Sequence, residues 1–338
     1  VLSGVVFALA AMASMSGALE TVKPEWRDPE YGHRLARLKQ LQRESPGRPL
    51  VLALGTSRTQ NAIDPAAMGF PEERGSPLVF NFGQSGSAPL KVLLTLQRLL
   101  DEGIRPSAVI VEVLPVWLAA DGPAERLFRD YEPRLSAGDL RRLAPYRTDP
   151  TDLERKWLAA RLAPWFAHRV VLMSHWLPRW LPWGERIDPQ WQGMEADGFV
   201  PYPPQFSSLE FRAEAAAHAR REHAGCFAGY AFGQSSLRAV RDLVNRCREE
   251  QIAVLFVEPS VSPMFRGWFA PGVWESGARR LHALAAELGV ELVPADAGLA
   301  EADFIDGHHL LREGAATYSL RLANLHLRPW LARELRRE

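Results

Sequence analysis

Five short, largely apolar runs constrain this chain more than anything else in it: Leu50–Leu54, Leu78–Phe82, Ala108–Leu114, Ile252–Val257 and Val290–Val293, with Asn81, Glu112 and Glu291 their only polar residues. Runs of this length with no polar alternation fit strands buried on both faces, the condition of a parallel sheet. Helical patterns lie between most of them. Pro89–Glu102 places Leu and Val at i, i+3 and i+4 and stops at Gly103. Leu237–Gln251 and Ser276–Leu288 do the same, the second ending at Gly289 just before the last strand. Alternating strands and helices predict a three-layer α/β/α, flavodoxin-like fold on a five-stranded parallel sheet with right-handed crossovers.

The rhythm fails between about residues 116 and 233. That segment holds seven of the eleven Trp residues and many prolines, and is too long for a connection, so it reads as an insertion or cap. Its stretch "HWLPRWLPWGERIDPQW" fits a satellite core over the sheet better than a membrane-interface role. Residues 21–48 read as a linker with a short amphipathic helix, and residues 49–338 as the α/β domain that the insertion interrupts.

The first nineteen residues carry no charge. That length just suffices for a membrane-spanning helix, although Ala11-Met12-Ala13 also resembles a signal-peptidase site and a buried helix is the plain alternative. The preferred expectation is an exported chain, held at the membrane or in the periplasm or cell envelope by residues 1–20. Forty basic residues balance forty acidic ones, which gives no global attraction to nucleic acid. Cys226 and Cys247 lack metal-ligand spacing and fit either one disulfide or two buried thiols.

Polar residues gather where the strands end. Thr56, Ser57 and Arg58 follow the first run; Gly83, Gln84, Ser85 and Gly86 the second; Glu112 closes the third; Glu258 and Ser260 follow the fourth. The carboxyl edge of an open α/β sheet is where ligands bind. Near the C-terminus, Asp306-Gly307-His308-His309 precedes a long helical pattern, Ala315–Leu331. A carboxylate three residues before a histidine can take its Nδ1–H, leaving Nε2 to draw the proton from a serine. A turn shifted by one residue would make His308 that base. Adjacent histidines also suit a metal, but no other His or Cys cluster accompanies them, and neither metal nor cofactor is expected.

"GTSR" after the first strand, "NFGQSG" after the second and Asp-x-x-His-Leu near the end together resemble the SGNH/GDSL hydrolase superfamily. The resemblance covers roughly residues 48–115 and 234–325. It implies Ser57 as nucleophile, His309 as base, Asp306 as its orienting acid, and the N–H groups of Ser57 and Gly86 as the oxyanion hole. One block departs from the family, which has Gly-x-Asn-Asp after the third strand. Here "VEVLPVW" offers Glu112, an acceptor that would repel an oxyanion, and no Asn. Gln84, Arg58 or a cap residue would have to replace that donor. Arg58 would pair with Glu112 or Glu258, or hold an anionic substrate group.

This variant is similar to the membrane-associated branch that decorates cell-envelope polysaccharides. An esterase or O-acyltransferase on an acylated carbohydrate or small ester is therefore expected, within an envelope protein complex. The alternatives are an impaired scaffold that binds glycan or an export partner, and a lipase whose apolar cap holds an acyl chain.

Overall fold

The computed structural model describes residues 2–22, 24–120, 122, 132–147, 149–182, 193–202, 208–296 and 298–335. In chain order, α1 (Leu2–Gly17) and α2 (Pro29–Glu44) precede β1 (Leu50–Leu54), which runs directly into the short helix α3 (Ser57–Ala62). Next come β2 (Leu78–Asn81), α4 (Pro89–Asp101) and β3 (Ala108–Glu112). The middle of the chain is helical: α5 (Ala137–Leu143), α6 (Pro150–Leu162), α7 (Pro164–Trp176) and α8 (Leu209–His223). It closes with α9 (Gln234–Glu249), β4 (Ala253–Val257), α10 (Val273–Glu287), β5 (Glu291–Val293) and α11 (Arg312–Leu322).

All five strands are parallel, in the order β2-β1-β3-β4-β5. Chain order reverses around β1, so the crevice at the carboxyl ends of β1 and β3 is the topological switch point where such sheets bind ligands. The fold is the flavodoxin-like α/β arrangement that the five apolar runs predict. The runs and the strands agree because strands covered by helices on both faces must be apolar: β1, β2 and β3 are buried at every position. Val51, Ala53, Val79, Ile110 and Val257 form one core with Ala315, Tyr318, Leu322 and Trp330 of the C-terminal helices. Their strand neighbours Leu52, Leu54, Phe80, Val109 and Val111 are buried on the opposite face. There α4 and α9 pack on each other, both with strongly one-sided apolar faces.

One expected element is subdivided. The C-terminal helical pattern ends as α11 at Leu322, widens into a π-turn over Ala323–Leu327, and resumes as a helix over Arg328–Glu334. Pro329 has no N–H to donate to the preceding turn, so a regular α-helix cannot run through this point. Cys226 and Cys247 are both free and buried, and burial pushes the Cys247 thiol up to about 12.

The chain divides into two compact units, Val1–Ala36 with Arg129–Gly193 and Arg37–Phe128 with Met194–Glu338, the first boundary falling within α2. Residues 116–233, read from the sequence as one insertion, are thus shared between the units. The first unit is helical, and within it α1 packs against α6 and α7. Among the described residues no helix is long and apolar enough to cross a membrane. The uncharged N-terminal stretch forms α1 over Leu2–Gly17 and continues as a π-turn over Ala18–Val22.

Candidate active site

The turn from β1 into α3 is built around a buried carboxylate. Glu112, the last residue of β3, sits beside the end of β1 because Leu54 pairs with Val111. Its Oε2 accepts from the Thr56 N–H (2.8 Å) and the Thr59 hydroxyl (2.7 Å), and its Oε1 from the Arg58 Nε–H (2.8 Å). The Thr56 hydroxyl lies 2.9 Å from each oxygen. Burial alone would raise the Glu112 carboxyl. The Arg58 charge and the hydrogen bonds from Thr56, Thr59 and Arg58 outweigh that and hold it below the ordinary value. Gly55 makes the approach possible: a Cβ there would lie 2.0 Å from Thr59 Oγ1 and 2.6 Å from Glu112 Oε2. Thr56 also caps α3, accepting from the Arg58 N–H, so Ser57 is the first helical residue.

Asn81, the last residue of β2, braces α3 from the other side. Its Nδ2 donates to the carbonyls of Thr59 (2.9 Å) and Ile63 (2.6 Å), and its Oδ1 accepts from the Gly83 N–H. The segment 194–202 completes the brace: Asn61 donates to the Val200 carbonyl (2.6 Å), and the Asn81 N–H donates to Asp197. Gly198 packs so closely, at φ +87°, that a Cβ would stand 2.2 Å from the Asn81 carbonyl oxygen.

The Asp306–His309 turn faces Ser57 across the crevice. Asp306 Oδ1 accepts from the backbone N–H of His308 (3.1 Å) and of His309 (2.9 Å), which fixes the carboxylate. Its Oδ2 lies 2.7 Å from His309 Nδ1, and His309 Nε2 lies 2.7 Å from Ser57 Oγ. With Nδ1–H donated to the carboxylate, Nε2 is the acceptor for the Ser57 hydroxyl. Burial by itself would raise the Asp306 carboxyl. The neighbouring His308 and His309 and the hydrogen bonds reverse this and hold it well below the carboxylate range. Asp306 is therefore an anion able to stabilise a protonated His309.

His309, not His308, meets the serine. His308 is buried against Phe265 and His223, with ring centroids 5.2 and 5.0 Å away, and its Nδ1 is 3.4 Å from Asp306. Burial, foremost, keeps His308 neutral. His223 donates Nδ1–H to the Ala219 carbonyl, and burial, aided by the Arg58 charge, lowers it to about 4.

Ser57, Asp306 and His309 open into a cavity of about 570 Å³, a volume typical of small-molecule sites. Gly86, at φ +63°, lies on its rim with Ser85 and Ser87. Trp117, Tyr202 and Phe211 supply aromatic walls, and α8 adds a polar one through Glu214, His218, Arg221 and Glu222. Arg58 lines the cavity too. Its side chain is 8% exposed, and its two terminal nitrogens make no hydrogen bond among the described residues.

Gln84, Glu258 and Glu112, all named from the sequence, do not line the cavity. Gln84 is buried, its Oε1 accepting from the Thr95 hydroxyl of α4 (2.9 Å). Glu258 accepts from the Ala295 backbone and is held above its ordinary value by burial; Arg58 pairs with Glu112 instead. Glu112 is likewise turned into the β1–α3 junction, its charge met by Arg58, and does not face the cavity as an unscreened repulsive group. Asn81 and α8 escaped the sequence reading. The Asn in "NFGQSG" was visible, but its role depends on contacts with carbonyls about twenty residues away.

Asp306, His308 and His309 also present ligand atoms within 4.8 Å of one another, the one such group among the described residues. The same Nδ1 and carboxylate atoms carry the Asp306–His309 hydrogen bond, which a bound cation would have to displace. No protein-family model matches the chain, and no curated protein matches it.

Proposed function

We propose that the protein is a serine-dependent, SGNH-type esterase or O-acyltransferase. The observation that carries this reading is the unbroken chain Ser57 Oγ–His309 Nε2, His309 Nδ1–Asp306, each link 2.7 Å, at the mouth of a cavity. His309 takes the Ser57 proton as the oxygen attacks an ester carbonyl, and Asp306 stabilises the imidazolium. The Ser57 and Gly86 N–H groups receive the oxyanion. His309 then returns the proton to the departing alcohol, leaving an acyl group on Ser57 for water or a sugar hydroxyl to accept. Arg58, paired with Glu112, lines the cavity beside Ser57. The expected substrate is an acylated carbohydrate of the cell envelope. Aromatic walls suit the apolar faces of a sugar ring, and the polar wall of α8 favours such a ligand over a long acyl chain.

The test is turnover of nitrophenyl esters of increasing chain length and of acetylated oligosaccharides. Ser57→Ala or His309→Ala should lower kcat by about 10⁴-fold or more. Acetyl esters should be preferred to long-chain ones. Unchanged rates in both variants would overturn the reading.

A further inference from the structure

The helical unit has a surface that the proposed chemistry does not use. Of the large apolar side chains that stand exposed, most belong to this unit: Val6, Phe7 and Leu9 on α1, Leu158 and Leu162 on α6, Trp165, Phe166 and Trp176 on α7, and Trp180 just beyond. Phe7 is 76% exposed, Phe166 66% and Trp180 72%, so Trp176 and Trp180 do not form the satellite core expected of their stretch, whose residues 183–191 lie outside the described ones. These residues lie on helices that pack on one another, α1 against α6 and α7, and α6 against α7. The layer is fastened by Ser16, whose hydroxyl donates to the Arg161 carbonyl (2.7 Å), and by Glu20, which pairs with both Arg27 and Arg161. Trp165 stacks on Trp176, and Trp176 meets Trp26 edge to face. Aromatic rings are thus held in place while still open to solvent, an arrangement that soluble surfaces rarely keep without a use.

Charge decides what covers this face. Residues 155–184 contain five basic residues and no acidic one, and α1 has no charge on any side. Arg155 and Lys156 pair with Asp152, and Arg161 with Glu20. Arg169 and Arg179 have no carboxylate partner among the described residues, and the Arg169 guanidinium lies over the Phe166 ring at 4.3 Å. Exposed Trp and Phe flanked by Arg are the residues that settle at a headgroup boundary: rings at the level of the glycerol, guanidinium groups on phosphate. A protein partner would cover one face of α1, whereas a helix without charge on any side is compatible with lipid all along its free surface.

We propose that α1, α6, α7 and Trp180 form a membrane-binding face that settles into the headgroup interface of an anionic phospholipid bilayer. It is independent of the esterase reading, since none of its residues belongs to the unit that holds Ser57, Asp306 and His309.

Flotation of the full chain with vesicles of phosphatidylcholine containing one quarter phosphatidylglycerol tests this, with pure phosphatidylcholine vesicles beside them. The wild type should float with the anionic vesicles and show a blue-shifted Trp emission. Phe166→Ser/Trp180→Ser should weaken partitioning at least tenfold on both compositions. Arg169→Gln/Arg179→Gln should remove the preference for the anionic one. Ester turnover on a soluble substrate should stay at the wild-type rate in both variants, so failure of one proposal is distinguishable from failure of the other. A folded wild type that binds neither vesicle overturns the proposal. So does a dimer that Phe166→Ser/Trp180→Ser dissociates while vesicle binding is absent, which would assign the face to a second copy of the chain.

Discussion

Glu112 is the residue on which the nucleophile turn depends. Its oxygens are taken up by Thr56, Arg58 and Thr59, and only 1% of its side chain is exposed. The Ser57 turn is therefore held by a buried ion pair, Arg58 on Glu112. Removing one member of such a pair leaves the other charge buried and uncompensated, at a cost of about 3–5 kcal/mol. Glu112→Ala is expected to lower stability by that order, read from the urea midpoint, and to slow ester turnover as Ser57 loses its position. Glu112→Gln/Arg58→Met, which removes both charges, should recover much of the stability but not the activity. Equal stability of Glu112→Ala and wild type would show that the carboxylate does not support the turn.

At the scale of elements, the strands were legible because burial on both faces writes itself into a continuous apolar run. Leu50–Leu54 is predicted and found with the same ends. The edge strand β5 is shorter than its run: Val290 is left out, Glu291 is exposed and only Val293 is buried. An edge strand has one neighbour to pair with and so less to hold its ends. The candidate acid and base were legible because Asp306 and His309 are three residues apart on one turn, a local relation. The pairing of Arg58 with Glu112 and not Glu258 was not, since it depends on β3 lying beside β1 while β4 lies one strand further away. Asn81, Gly198 and the polar wall of α8 were hidden for the same reason: their partners are distant in sequence, and no periodicity records them.

The whole molecule carries a pH dependence built from its buried histidines. Burial lowers His223 to about 4 and His308 well below its ordinary value, and in the helical unit burial lowers His168 to about 4. In the unfolded chain each titrates near 6.5. Above that pH both states are neutral and these groups leave stability unaffected. As pH falls from about 6.5 toward 4 the unfolded chain takes up protons that the folded one refuses, so stability declines across that window. Asp306, held low, adds a further loss only below the ordinary carboxylate value near 4. Thermal melts at pH 7.5, 6 and 5 should show a falling midpoint, and His223→Phe should flatten the fall. A midpoint that stays level down to pH 4 would contradict it.

The most direct measurement is labelling of the folded protein with a fluorophosphonate, read by intact mass and peptide mapping. One adduct is expected, on Ser57, absent from Ser57→Ala and from His309→Ala. A folded wild type that takes no label, or takes it on another serine, would contradict the assignment of Ser57 and His309 as nucleophile and base.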